Sequence, residues 1–296
     1  MLTSQNLRGI IPALPTLVNA DDSLARGDMA KLVDHVYAGG ATGVLPIGGT
    51  GEYGALPHAT RVDAVSVCAA QSQPGQTVMV GVLDTGIYDA LKAGKDYAAA
   101  GANCLLVLTP YYTNPTQRGI RDYFLRYADE SPVPVLIYEI PYRTRVAIAP
   151  EITHELSRHP NIIGMKACNT DMYHFLQVAA GVDADFTILS GEDSLFPLHM
   201  AAGAKGGIIV TASMLPAFWV RMHDLVAAGD LAGALALHRQ ALPMMNAAFG
   251  ETNPGPMKSV LDLFGISAQK ILMPLDPCQP ERSARLRAEV EKLLAL

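Results

Sequence analysis

Residues 133–167 read VPVLIYEIPYRTRVAIAPEITHELSRHPNIIGMKA, and the fold turns on how this stretch is parsed. Its two ends, 133–140 and 162–167, are apolar on consecutive residues and rich in Val and Ile, as strands buried on both faces are. Between them, 150–158 opens on a proline and keeps a helical spacing until His159-Pro160 stops it. Two such strands joined by a crossover helix mean parallel pairing, with the helix packed outside the sheet.

Outward from this unit the pattern recurs. Further strands are predicted at 10–18, 43–47, 77–82, 104–109, 186–190 and 207–211, which brings the total to eight. Further helices are predicted at 26–38, 57–71, 88–100, 117–128, 171–180, 194–201 and 215–227. Eight strand-helix units predict an α/β chain folded as a closed (β/α)8 TIM barrel. A doubly wound open sheet would need a Gly-rich turn after its first strand, where Asn19-Ala20-Asp21-Asp22 stands instead. From Asp230 on, strand patterning stops, and three helical stretches at 230–249, 256–264 and 282–294 predict a C-terminal helical extension. Asn253-Pro254-Gly255-Pro256 reads as a breaker within it. The expected organisation is a barrel over 1–229 with an extension packed on it over 230–296.

Composition narrows the function classes. Half of the 296 residues are hydrophobic, and 22 basic against 28 acidic residues leave a net charge of −6. No basic field exists to hold a phosphate backbone, so nucleic acid is not an expected partner. No apolar run approaches the roughly 18 residues that span a bilayer, and no membrane association is expected. Residues 1–17 hold an Arg and two prolines and no uninterrupted apolar stretch, so a cytoplasmic location is expected. The charged fraction of 17% lies under the roughly 25% usual for soluble domains. Surface covered by another subunit, as in a dimer or tetramer, is the expectation.

Cys68, Cys104, Cys168 and Cys278 are spaced for neither a zinc site nor a disulfide framework and are expected as reduced thiols. Glu155 and His159 form the one acid-histidine pair at helical spacing, without a third ligand nearby. Neither a metal nor any other cofactor is expected.

Barrel active sites lie at the C-terminal ends of the strands. Lys166 is the outstanding residue there, an ammonium inside the apolar run 162–167. A free lysine with a pKa of about 10.4 is a neutral amine in only about one molecule in 2,500 at pH 7, so burial is expected to lower it toward ~7 for Schiff-base chemistry. Tyr138 ends the preceding strand, where a phenol can shuttle protons through carbinolamine formation and dehydration. The turn Gly48-Gly49-Thr50-Gly51 offers backbone N–H groups and a hydroxyl to a carboxylate, or equally to a phosphate, or is simply a tight turn. Arg143, just past Tyr138, can clamp a second carboxylate bidentately.

Taken together and in order, Gly-Thr-Gly-Glu at 49–52, Thr109-Pro110-Tyr111-Tyr112, Tyr138-x-x-Pro141 with Arg143-Thr144, Gly164-x-Lys166 and Ser190-Gly191-x-Asp193 resemble the dihydrodipicolinate synthase / N-acetylneuraminate lyase family of class I aldolases. GAKGGIIVT at 203–211 resembles that family's Gly-rich eighth strand. The resemblance implies a lyase in which Lys166 forms the Schiff base with pyruvate or another 2-oxo acid and Tyr138 transfers protons. It implies that Gly49, Thr50 and Gly51 hold the 2-oxo acid carboxylate, with Ile208 supplying backbone nearby. It further implies that Arg143 receives the carboxylate of an aldehyde substrate, that Tyr112 enters the site of a neighbouring subunit, and that the subunits form a tetramer. Gly49 stands where the family's proton relay has a Thr or Ser, which resembles instead the turn of sugar-acid dehydratases such as 5-dehydro-4-deoxyglucarate dehydratase. Glu139 and Ala167 also depart from the pattern. Dihydrodipicolinate synthase-like condensation, cleavage or dehydration of a 2-keto-3-deoxy sugar acid, and a 2-oxo-acid-binding protein without turnover are thus all compatible with the sequence.

Overall fold

Eight short strands pair in parallel in the computed structural model, which describes residues 2–296. They are β1 (Gly9–Pro12), β2 (Gly43–Val44), β3 (Thr77–Val82), β4 (Cys104–Leu108), β5 (Val135–Glu139), β6 (Ile162–Ala167), β7 (Thr187–Ser190) and β8 (Gly206–Ile209). The order β1-β8-β7-β6-β5-β4-β3-β2 leaves one seam, between β1 and β2. There Ala13 bridges Leu45, and the bonds Leu45 N to Pro12 O and Leu14 N to Leu45 O are each 2.9 Å, so the barrel is nearly closed. The strands are buried along their whole length, as their continuous apolar sequences demand.

Among the described residues nine helices accompany the strands: α1 (Arg26–Ala38), α2 (His58–Gln71), α3 (Ile87–Ala99), α4 (Gln117–Glu130), α5 (Pro141–Thr144), α6 (Pro150–Leu156), α7 (Met172–Gly181), α8 (Phe196–Ala201) and α9 (Pro216–Ala227). Their inward stripes follow the 3.6 period, as in α4, where Ile120, Phe124, Tyr127 and Ala128 are buried and the Thr116 hydroxyl caps Gly119 N at 3.1 Å.

Several strands stop short of their predicted ends for local reasons. Regular pairing of β1 ends at Pro12, and Val18 turns back to bridge Leu24 in antiparallel sense. β2 covers only Gly43–Val44, because Pro46 follows and Ile47 takes a left-handed φ of 47° that turns the chain out of the sheet. β8 ends at Ile209, where Val210 adopts helical angles and begins a single 3-10 turn.

The C-terminal extension comprises α10 (Leu231–Ala248), α11 (Gly255–Lys258) and α12 (Pro280–Leu294), with a further 3-10 turn at Leu261–Phe264. Asp230 caps α10 by accepting from Gly233 N at 2.8 Å. α10 packs on α8, α9 and α12, which places its C-terminal end over the mouth of the barrel. Among the described residues no helix is long and apolar enough to cross a membrane.

Candidate active site

Consecutive parallel strands put Tyr138 and Lys166 side by side. Each is the next-to-last residue of its strand, β5 and β6, and the two are register partners. Lys166 is 4% exposed, and its Nζ lies 4.6 Å from the centre of the Tyr138 ring. Both line a cavity of about 770 Å³ at the C-terminal end of the barrel, together with Gly49, Thr50 and Arg143.

The charge state of Lys166 differs from the sequence expectation. Burial works against its ammonium, but Tyr138, Cys168, Glu192 and Asp193 around it hold its pKa above the ordinary lysine value. The surrounding groups thus favour the ammonium form, so Lys166 would need a nearby proton acceptor to become a free amine. Burial pushes the Tyr138 phenol up, against the opposing influence of Lys166 and Arg143. Cys168, also in the cavity, is pushed up to about 12 by burial, so it stands as an inert thiol, donating to Gly191 O at 3.3 Å. All four cysteines are free.

The 48–52 turn is held from two sides. Gly51 N donates to Gly48 O at 3.0 Å and Glu52 N to Gly49 O at 3.3 Å. Those amides are spent within the turn, and Gly51 packs against Ile47 and does not line the cavity. Thr50 is buried and faces the cavity, and its hydroxyl accepts from Asn253 Nδ2 at 2.8 Å. A Cβ on Gly49 would stand 3.1 Å from Arg143 Nη1. The guanidinium thus lies against the space that a side chain at 49 would enter.

Ile208 is fully buried as the register partner of Ile11, and Val210, just past the strand end, lines the cavity. Tyr112 is not at this chain's cavity. It is 88% exposed, with a φ of 74°. Glu139 faces away from the cavity, accepting from Ile148 N at 3.0 Å and lying 3.3 Å from His174 Nε2 on α7.

Among the other cavity residues, Glu192 and Asp193 stood in the sequence reading only within the strand-end run 190–193, with no role given, and Asn246 and Asn253 had no place in it as site residues. Glu192 follows the end of β7, and its Oε1 accepts from the Tyr142 hydroxyl at 2.8 Å. The signal was present, since Glu192 lies within the strand-end run 190–193 and Tyr142 adjoins Arg143. Asn246 and Asn253 come from the extension, where the 253–256 stretch had been read only as a breaker. Asp193 is structural: its carboxylate accepts from Val210 N at 3.1 Å, Thr211 N at 2.8 Å and the Thr211 hydroxyl at 2.7 Å. Among the described residues no group of three or more metal-ligating side chains occurs.

Known proteins match this chain over nearly its whole length. Residues 6–293 match the model of the dihydrodipicolinate synthetase family. A 4-hydroxy-tetrahydrodipicolinate synthase of Methanothrix thermoacetophila is 32% identical over 289 residues, which is 97% of each chain. One from Gluconobacter oxydans is 32% identical over 293 residues, 99% of each. Among solved structures, dihydrodipicolinate synthase of Thermotoga maritima superposes with a TM-score of 0.94 at 28% identity, covering 98% of this chain and 99% of that one. A monomeric variant of dihydrodipicolinate synthase gives a TM-score of 0.94 at 28% identity, covering 98% of both. With a nearly closed eight-stranded barrel, a strand-end lysine beside a tyrosine and full-length similarity at these levels, the chain belongs to the dihydrodipicolinate synthetase family of Schiff-base lyases.

Proposed function

We propose that Lys166 forms the imine with pyruvate or another 2-oxo acid, that Tyr138 transfers protons during its formation, and that the enamine then makes or breaks a carbon-carbon bond with an aldehyde. The observation that carries this reading is the buried Lys166–Tyr138 pair at adjacent strand ends of one cavity. The 2-oxo acid carboxylate sits against Thr50 and the amides of Gly49 and Thr50, and Arg143 meets the oxygens of the second reactant. An iminium at Lys166 withdraws electrons from carbon 3 and makes its protons acidic, which is what enamine chemistry requires. The extension, 230–296, acts as part of the same catalytic unit by supplying Asn246 and Asn253. The enzyme works in the cytoplasm as a homo-oligomer and uses no cofactor.

Gly49 and the Glu192–Tyr142 pair favour a second reading, in which the substrate is a 2-keto-3-deoxy sugar acid that is cleaved or dehydrated through the same imine. The test common to both is borohydride reduction in the presence of pyruvate, followed by peptide mass analysis. A reduced adduct on Lys166 is expected, absent in Lys166→Ala. Failure to label Lys166 with pyruvate and with longer 2-oxo acids overturns the assignment.

A further inference from the structure

A second cavity, of about 530 Å³, opens at the other end of the barrel from Lys166. Its walls come from the residues just before β1, β7 and β8 and from the C-terminal ends of α8 and α9. The floor is apolar: Leu7, Phe186 and Ala204 are buried there, and Met200 and Val226 pack on the same core. The rim is cationic. Gly9 and Gly206 are register partners in the parallel pair of β1 and β8, so the residues before them, Arg8 and Lys205, stand side by side. Like charges placed next to each other on adjacent strands repel. Among the described residues neither has an acidic partner, and Arg8 Nη2 donates to Gln5 O at 2.6 Å. No Asp or Glu lines the cavity, although acidic residues outnumber basic ones by 28 to 22 in the chain. Asp185 and Asp224, next to wall residues in sequence, are engaged by Gln5 Nε2 at 3.5 Å and His223 Nδ1 at 2.9 Å.

An apolar floor beneath two cations without acids matches a ligand that is itself in two parts. We propose that this cavity binds a small aryl or alkyl phosphate monoester, with its negative charges between Arg8 and Lys205 and its hydrocarbon part on Leu7, Phe186 and Met200. The guanidinium offers a fork to two phosphate oxygens, and the ammonium offers a point charge to the third. A carboxylate of the same shape carries one charge and leaves one cation uncompensated. The volume lies within the roughly 300–1,000 Å³ of small-molecule sites. Because the ligand joins the entries of β1 and β8, it stabilises the barrel by binding the folded state, and it takes no part in the imine chemistry at the other end.

The probe is phenyl phosphate, titrated into the full chain by isothermal calorimetry. Inorganic phosphate supplies the head alone, phenol the body alone, and phenylacetate the same body with a single charge. Phenyl phosphate is expected to bind with a Kd of about 1 mM or tighter, and each of the other three at least about tenfold more weakly. Arg8→Met and Lys205→Met, both at exposed positions, are each expected to weaken phenyl phosphate about tenfold, while borohydride with pyruvate still labels Lys166. Arg143→Ala alters the cavity at the barrel mouth and is expected to leave this affinity as it is. Absence of saturation by about 10 mM overturns the proposal, as does inorganic phosphate or phenylacetate bound as tightly as phenyl phosphate. Unchanged affinity in Arg8→Met and Lys205→Met overturns it as well, and a loss in Arg143→Ala instead would place the ligand at the barrel mouth.

Discussion

At the scale of single residues, the site is shaped by a side chain that is missing. Gly49 is not a conformational requirement, since its φ is not among the positive ones, but a Cβ there meets Arg143 Nη1 at 3.1 Å. At that separation the neighbour has to give by a few tenths of an ångström, and a guanidinium aimed at a substrate oxygen loses its fork geometry when it does. Gly49→Ala is therefore expected to lower kcat/KM about tenfold, ~1.4 kcal/mol, on whichever second reactant is turned over. In an Arg143→Ala background the same substitution is expected to be nearly neutral, because the two changes act on one contact. Additive losses in the double variant would show that Gly49 acts independently of Arg143.

At the scale of elements, one fully buried ion pair and one half-buried pair fasten the pieces that carry the site. Lys258 of α11 is fully buried against Glu52, whose other oxygen accepts from Leu272 N at 2.7 Å, while Lys258 Nζ also donates to Lys270 O at 2.7 Å. The pair joins the extension to the 48–52 turn, and burial pulls the Lys258 pKa below its ordinary value in spite of Glu52. Removing one member leaves a charge stranded in the interior, so Lys258→Met is expected to cost about 3–5 kcal/mol in urea unfolding. A loss under about 1 kcal/mol would mean that the turn and the extension are held by packing alone. The second pair, His174 with Glu139, ties α7 to the end of β5 at 3.3 Å. Its bond to Glu139 raises the His174 pKa above 6.5 despite burial. A raised histidine stabilises the fold fully below its unfolded pKa and loses that contribution as pH rises through the folded one. The wild-type urea midpoint is thus expected to fall between pH 6 and 9 by more than that of His174→Gln; parallel profiles would remove His174 from the balance. These pairs also show what was legible in the chain and what was not. The strands at 77–82 and 162–167 coincide with the predicted ones, because runs buried on both faces carry their own signal. The strand pair that sets Tyr138 against Lys166 was likewise readable from order alone. Pairs separated by 35 or more positions were not, since nothing local in Glu139 announces His174 and nothing in Asn253 announces Thr50. Whether a residue at a strand end faces the cavity was not legible either, because it depends on where pairing stops, which Ile47 and Val210 decide by their backbone angles.

At the scale of the whole molecule, the open question is how the chains associate, and Tyr112 is where the structure speaks to it. A tyrosine with a φ of 74° is held in a sparsely populated conformation that costs of order 1–3 kcal/mol, and such strain persists where surrounding contacts over-determine it. Within this chain Tyr112 has no such surroundings, being 88% exposed at the tip of the loop after β4. A neighbouring subunit would supply them, and the sparse charge of the chain, 17%, leaves more of the surface free for such a contact than is usual. The protein is expected to sediment as a dimer or tetramer at micromolar concentration. Tyr112→Ala is expected to shift that distribution toward monomer and to lower kcat about 10²-fold if the phenol serves a proton relay across the contact. Tyr112→Phe keeps the ring and removes only the hydroxyl, so it is expected to keep the assembly and lose the rate. A wild-type monomer with full activity would show that this chain has dispensed with the contact, as the monomeric variant among its structural relatives shows that the fold itself permits.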